Sequence, residues 1–311
     1  MKPSISVCIP TYKRYKLFRE ALQSVIEQTL QPMEIIIGDD SPDNLTENLV
    51  SDIKKDCKIP IVYAHHFPSL GQAANVNFLY ETAKGDKIVL LHDDDLLLPR
   101  ALEELSSCWD IYPDLVAAYG KQYIISEDGV VDLSHSENLN KMFFRTSDRA
   151  GLQKSSLEAS ILHQFPSNGY MVLASAAKSV MYRSYEEIGN GGDFDFSFRL
   201  SIKYPNFFFL DKYTSKYRLS SDAISLRTDS AAQSFQNILN TDVPDEIAWA
   251  KEYELKRSAP IAIVQLINSG KRKQAVDIYF SEYHPLPKRF SLGGIRRFLK
   301  LLLPRSIGKL I

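Results

Sequence analysis

The chain has 311 residues, 44% hydrophobic and 24% charged, a balance that excludes a disordered or fibrous chain and suits an ordinary globular protein. Lys and Arg number 37 and Asp and Glu 38, so the formal net charge is −1 and no overall field draws the chain to nucleic acid. No stretch reaches ~18 consecutive apolar residues, which argues against a membrane-spanning helix.

Ile5 to Ile9 reads as a buried strand that Pro10 ends, and Lys16 to Gln28 carries helical spacing through Leu17, Ala21, Leu22, Val25 and Ile26. Glu34 to Ile37 is a second apolar strand, closed by Gly38 and two aspartates. A polar turn at Ser41-Pro42-Asp43-Asn44 leads into a helix ending near Cys57. Ile61 to Ala64 reads as a strand, Gln72 to Ala83 as a helix stopped by Gly85, and Lys87 to Leu91 as a strand with Asp93-Asp94-Asp95 at its end. Pro99 opens a further helix. The βαβαβαβ order predicts a mostly parallel sheet with helices on both faces, and ligands then bind outside the carboxyl ends of the strands.

The second half gives weaker signals. Val116 to Tyr119 and Gln122 to Ile125 read as strands, Asp132 to Ser155 as a mobile loop, and Asn206 to Leu210 as another strand. Asp193 to Tyr204 has helical spacing, with Phe194, Phe198 and Ile202 on one face. Beyond about Arg227 the pattern turns helical. Cys8, Cys57 and Cys108 are too scattered for a metal knuckle or redox pair. The odd cysteine count, and a Met1-Lys2-Pro3 start with no signal pattern, predict a cytoplasmic protein.

Three acidic groups are candidates for chemistry. Asp93, Asp94 and Asp95 follow a buried strand directly, and three adjacent carboxylates repel one another unless a cation neutralises them. Oxygen ligands of this kind suit Mg²⁺ or Mn²⁺; the competing reading is a solvated turn capping the next helix. Asp39 and Asp40 end a second strand and admit two readings, a carboxylate contacting a nucleobase or ribose, or an N-cap and turn. Asp193 and Asp195 follow Gly189-Asn190-Gly191-Gly192, where a carboxylate suits a general base and also helix capping. His65, His66 and His92 adjoin the first two groups. No Ser-His-Asp spacing and no Walker-type phosphate loop occur.

Four runs, taken together and in order, resemble the family-two inverting glycosyltransferases. They are Ser6 to Tyr12 (SVCIPTY), Glu34 to Ser41 (EIIIGDDS), Ala83 to Asp95 (AKGDKIVLLHDDD), and Tyr185 to Gly189 with Asp193 to Leu200. The resemblance covers roughly residues 4 to 225. It implies the nucleotide-diphospho-sugar transferase fold known as GT-A: one α/β domain over 1–226, with a donor half to about residue 95 and an acceptor half from 96. A helical extension follows over 227–311.

The resemblance also implies site residues. Asp95 and Asp93 would hold the metal, Asp95 directly. Pro10, Thr11, Tyr12, Asp39, Asp40, Asn75, Asn77, Asp93 and Asp94 would bind a UDP- or dTDP-sugar, with Asp39 or Asp40 reading the pyrimidine. Asp193 would be the catalytic base, with Asp195 and Arg199 on the acceptor side. Two departures stand out. Leu219-Ser220 replaces the His that often follows a Tyr-Arg pair such as Tyr217-Arg218, and His92 precedes the acidic loop where the family often has a polar or acidic residue. The acceptor implied is a saccharide, free or lipid-linked, in bacterial surface polysaccharide synthesis.

A sugar-binding protein of the same fold without turnover is the main alternative, and the full acidic set argues against it, since purposeless buried carboxylates are costly. A phosphate-receiver domain is far shorter than this chain. From Pro285 to Ile311 every charge is basic, among Leu292, Ile295, Phe298, Leu299 and Leu301 to Leu303. That combination predicts an amphipathic helix lying on an anionic membrane surface, peripheral at the inner face of the plasma membrane. A helix packed on the protein's own core is the competing reading.

Overall fold

A computed structural model describes residues 4–189, 191–219 and 230–302. The N-terminal half is built from β1 (Ile5–Thr11), α1 (Tyr15–Ile26), β2 (Glu34–Asp39), α2 (Leu45–Lys54), β3 (Ile61–His65), α3 (Gln72–Thr82) and β4 (Lys87–Leu90). β1 pairs in parallel with both β2 and β4, and β2 with β3. Strands buried on both faces read as unbroken apolar runs, which is why VCI and III mark β1 and β2. Alternate residues serve opposite faces: Val7 and Ile9 pack with Phe18, Leu22 and Leu105 on one side, and Cys8 with Leu79 and Tyr80 on the other.

The chain continues through β5 (Leu96–Leu97), α4 (Ala101–Ile111), β6 (Ala117–Ile125), β7 (Val131–Asp132), α5 (Leu133–Met142), β8 (Gly151–Leu152) and α6 (Ser156–Ile161). Then come β9 (Met171–Leu173), α7 (Ala174–Val180), α8 (Tyr185–Ile188), α9 (Gly192–Lys203) and β10 (Phe207–Arg218). The sheet order is β3-β2-β1-β4-β9-β6-β10-β5. β9 runs antiparallel to β4 and β6, while β10 is parallel to β6. The expected α/β fold with a mostly parallel sheet is therefore observed.

Several local readings change. Leu96 and Leu97 form a short strand against β10, through Leu97 opposite Ser215, so the helix expected at Pro99 starts at Ala101. The two short strands expected over 116–125 are one, and the strand expected over 206–210 extends to Arg218. Residues 132–155, expected as a mobile loop, hold α5, a single 3₁₀ turn and β8. The Asn140 side-chain amide donates to the Gln122 carbonyl and accepts from the Gln122 N–H, and Ser136 Oγ accepts from Ile124 N–H. These polar anchors leave no apolar period to read in the sequence. In α9, Phe196 and Leu200 take the core along with Phe198, while Ile202, expected on the packed face, is exposed.

The residues group into two units: Met1–Ser184 with Phe196–Ser221, and Tyr185–Asp195 with Asp222–Ile311. The domain boundary expected at 226 lies outside the described residues. In the second unit α8 and the start of α9 join α10 (Ser230–Leu239), α11 (Ala248–Asn268), α12 (Arg272–Phe280), α13 (Leu286–Arg289) and α14 (Leu292–Leu302), the helical extension expected. Among the described residues no helix is long and apolar enough to cross a membrane.

Candidate active site

Because β1, β2 and β4 are parallel and adjacent, their carboxyl ends share one edge of the sheet. Asp40 N–H donates to the Thr11 carbonyl and Leu91 N–H to the Cys8 carbonyl, so the pairing carries on to the first loop residues. This ladder delivers the β1–α1 loop, the Asp39–Asp40 pair and the 92–95 loop to one place, as the strand order implied.

Asp93 is buried and faces β1. Its Oδ2 accepts from Thr11 Oγ1 at 2.9 Å and from Tyr12 N–H at 3.2 Å. Burial, then the neighbouring Asp94 charge, push its carboxyl up to about 6, against the partial relief of Arg14 and these hydrogen bonds. Asp95 is also buried, and each oxygen has a donor: Asn168 Nδ2 to Oδ2 at 2.7 Å and Arg218 N–H to Oδ1 at 2.7 Å. Its carboxyl too is raised, first by burial and then by Asp94. Asp94 Oδ2 accepts from Arg14 Nη1 at 2.6 Å.

Ligand atoms of His92, Asp94 and Asp95 lie within 4.8 Å of one another. Two carboxylates and an imidazole are donors that suit a divalent ion of the Mn²⁺ kind, and carboxylate ligands are ordinarily oriented by hydrogen bonds such as those Asp95 receives. The residues fit a metal. The expected pairing of Asp93 with Asp95 is not the one this geometry favours: the Asp93 carboxylate serves Thr11, and His92 and Asp94 stand beside Asp95 instead. The loop is braced by Arg218, whose Nε donates to the Asp94 carbonyl at 2.8 Å, Nη1 to the Glu127 carbonyl at 2.6 Å and Nη2 to Glu20 at 2.6 Å.

On β2, the fully buried Asp39 accepts from Ser41 N–H at 2.9 Å and from the Tyr63 hydroxyl at 2.8 Å. Asp40 shapes the 66–71 turn, accepting from Leu70 N–H at 3.2 Å and Gly71 N–H at 2.9 Å, with His66 Nδ1 at 3.0 Å. Ser41 Oγ accepts from Lys13 N–H at 2.8 Å, tying this strand end to the β1–α1 loop, where Lys13 is left-handed at φ 57°. Pro10 is half-buried, and the Tyr12 ring is exposed.

Three expected site residues have other work in the structure. Asn75 Nδ2 donates to the Gly38 carbonyl, locking α3 against β2. Asn77 exchanges two bonds with the backbone of Tyr182, at 2.9 and 2.7 Å. Arg199, expected on the acceptor side, caps the end of α7 by donating to the Val180 and Met181 carbonyls. These contacts give all three a structural role in the scaffold around the strand ends. Asp193 is half-buried in the first turn of α9, and Asp195, two residues and a little over half a turn further on, is buried. Sequence reasoning missed Arg14, Asn168 and the bracing role of Arg218. Only Arg14 left a local trace, as a basic residue just after β1.

A parallel sheet with acidic groups on its carboxyl edge, followed by a mixed half-sheet, defines a GT-A type nucleotide-sugar transferase fold. The family model for glycosyl transferase family 2 matches residues 6–162, and the chain belongs to that family. An uncharacterized glycosyltransferase of Methanocaldococcus jannaschii is 26% identical over 226 residues, 70% of this chain and 71% of that one. A Campylobacter jejuni GalNAc(5)-diNAcBac-PP-undecaprenol β-1,3-glucosyltransferase is 32% identical over 103 residues, a third (33%) of each chain. The crystal structure of Staphylococcus aureus TarS 1–349 in complex with UDP-GlcNAc superposes with a TM-score of 0.61 at 16% identity, over 99% of this chain and 84% of that one. That likeness is one of fold.

Proposed function

We propose that this glycosyltransferase inverts the anomeric centre as it moves a hexose from a UDP- or dTDP-sugar to a hydroxyl of a lipid-linked saccharide, with Mg²⁺ or Mn²⁺ bound. The observation that carries the reading is the group of His92, Asp94 and Asp95 at the strand ends, beside the Thr11–Asp93 pair. A divalent cation held there supplies neutralisation of the charge that grows on the leaving diphosphate. Thr11, Tyr12 and Asp93 line the nucleoside side. Asp40 is less enclosed than Asp39 and contacts the pyrimidine. Asp193 accepts the proton of the attacking hydroxyl. An ordinary Asp is a weak base near neutrality and serves where proton transfer is late, once bond formation has made the hydroxyl acidic.

The lipid-linked acceptor draws support from the Campylobacter relative, named for an undecaprenol-linked saccharide, and from α14. Gly294 and Leu301 face inward, while Leu292 is 84% and Leu302 64% exposed, with Ile295 and Leu299 on the same outward stripe. Arg296 and Lys300 flank that stripe at helical spacing, an arrangement that suits an anionic bilayer surface.

The reading is tested with a panel of nucleotide sugars assayed for transfer and for slow donor hydrolysis, with Mn²⁺ and with EDTA. Turnover is expected for a UDP- or dTDP-sugar and only with metal. An Asp193→Asn protein is expected to bind the donor with unchanged affinity by calorimetry and to lose at least ~100-fold in transfer. Metal-dependent donor binding without turnover of any sugar, on any acceptor, would support the binding-protein alternative instead.

A further inference from the structure

One carboxylate in the acidic loop is claimed twice. Asp94 belongs to the group with His92 and Asp95 whose ligand atoms lie within 4.8 Å of one another. The same side chain already accepts from Arg14 Nη1 at 2.6 Å, and Arg14 reaches Asp93 at 3.5 Å. A guanidinium keeps its proton under all ordinary conditions. It is therefore a permanent cation on a ligand that a divalent ion would need, and the two positive charges compete for Asp94.

Arg14 is built to leave. It sits at the N-cap of α1 without a side-chain capping bond, its side chain is 27% exposed, and its second carboxylate contact is long. By contrast, the Arg218 guanidinium is held by four backbone or side-chain acceptors and is fully enclosed. The loop thus has one fixed cation and one on a free stem. Arginine's planar fork matches the paired oxygens of a phosphate as well as it matches a carboxylate. A nucleoside diphosphate at this strand edge would offer Arg14 an alternative partner to Asp94.

We propose that Arg14 is a donor-phosphate ligand parked on Asp94. The diphosphate draws the guanidinium off the acidic loop, and the divalent cation takes the vacated carboxylate. The inference rests on the donor and metal reading above and adds a coupling to it. Nucleotide and metal strengthen each other's binding, each by the same factor, and metal alone binds poorly because it must displace Arg14 unaided.

The test follows Mn²⁺ binding to the full chain by the electron-spin-resonance signal of free Mn²⁺, with and without UDP. Wild type, Arg14→Met, Arg14→Gln and Arg14→Lys are compared, with thermal melts to confirm folding. Without UDP, Arg14→Met and Arg14→Gln are expected to bind Mn²⁺ about tenfold more tightly than wild type, and Arg14→Lys to stay near it, from removal or retention of the competing charge. UDP is expected to tighten Mn²⁺ binding at least ~tenfold in wild type and about threefold or less in the neutral variants. Neutral variants that bind Mn²⁺ no more tightly than wild type, or that keep the full effect of UDP, overturn the inference and make Arg14 a static brace. Wild type that binds no Mn²⁺ even with UDP removes the metal reading itself, and this inference with it.

Discussion

Asp93 carries its charge under protest. Its carboxyl sits near 6 in the folded chain against an ordinary 3.8, chiefly because it is buried and secondly because Asp94 is beside it. The sign follows from linkage: the folded state holds the Asp93 proton more tightly than the unfolded chain does. The stabilising effect is fully present below about pH 4 and is lost as pH rises through 6, with a shift of this size corresponding to about 3 kcal/mol. Asp93→Asn removes that penalty while the amide oxygen still accepts from Thr11. In urea titrations with EDTA present, the variant is expected to be more stable than wild type by about 1–3 kcal/mol at pH 8 and by much less at pH 4.5. A variant less stable than wild type at pH 8 would mean that the Arg14 contact outweighs burial.

At the scale of single elements, α14 is the clearest case of a helix with two unlike faces. Its inner face meets the rest of the helical unit through Leu301, through Gly294, whose carbonyl accepts from the Tyr279 hydroxyl at 3.3 Å, and through Phe298, whose ring lies 5.7 Å from that of Tyr279. One face packs, as the competing reading expected, and another stays apolar and exposed beside Arg296 and Lys300. Phe290, just ahead of the helix, is 76% exposed as well. In co-sedimentation with vesicles, the full chain is expected to pellet with anionic lipid at low salt and to be released as salt screens the charges. Leu292→Glu with Leu299→Glu should abolish pelleting without lowering the melting temperature, because both side chains point outward. Equal pelleting by the double variant would assign the stripe to some other contact. Leu303 and the residues after it lie outside those described.

Across the whole molecule, the segment with Asp193 belongs to a different unit from the acidic strand ends. Residues 185–195 group with the C-terminal helices, and a Cβ at Gly191 would stand 3.8 Å from the Ser230 carbonyl. Every residue assigned to donor and metal lies between Pro10 and Asp95. A chain ending at Ser221 is therefore expected to bind UDP with Mn²⁺ within about threefold of the full chain, yet to lose at least ~100-fold in transfer as Asp193 loses its setting. Circular dichroism would verify that the sheet survives. Undiminished transfer would dissociate Asp193 and its surroundings from the chemistry.

The donor half was legible because its signals are local. Apolar runs such as Val7 to Ile9 and Ile35 to Ile37 arise where strands are covered on both faces, and the turn to aspartate after β2 and β4 marks the open edge of the sheet. Strand order alone then put Thr11, Asp39–Asp40 and Asp93–Asp95 at one edge, and four short runs indicated the family. What the sequence left undecided was which partner each polar side chain takes. Asp93 turned to Thr11, while His92, Asp94 and Asp95 came together. Asn75, Asn77 and Arg199 turned to backbone carbonyls, and Arg14, Asn168 and Arg218 came to the acidic loop from 79, 73 and 123 residues away. A hydrogen bond over such a span leaves no period or spacing in the chain. It is set by which groups the packed core leaves without water, and that is decided only when the core closes.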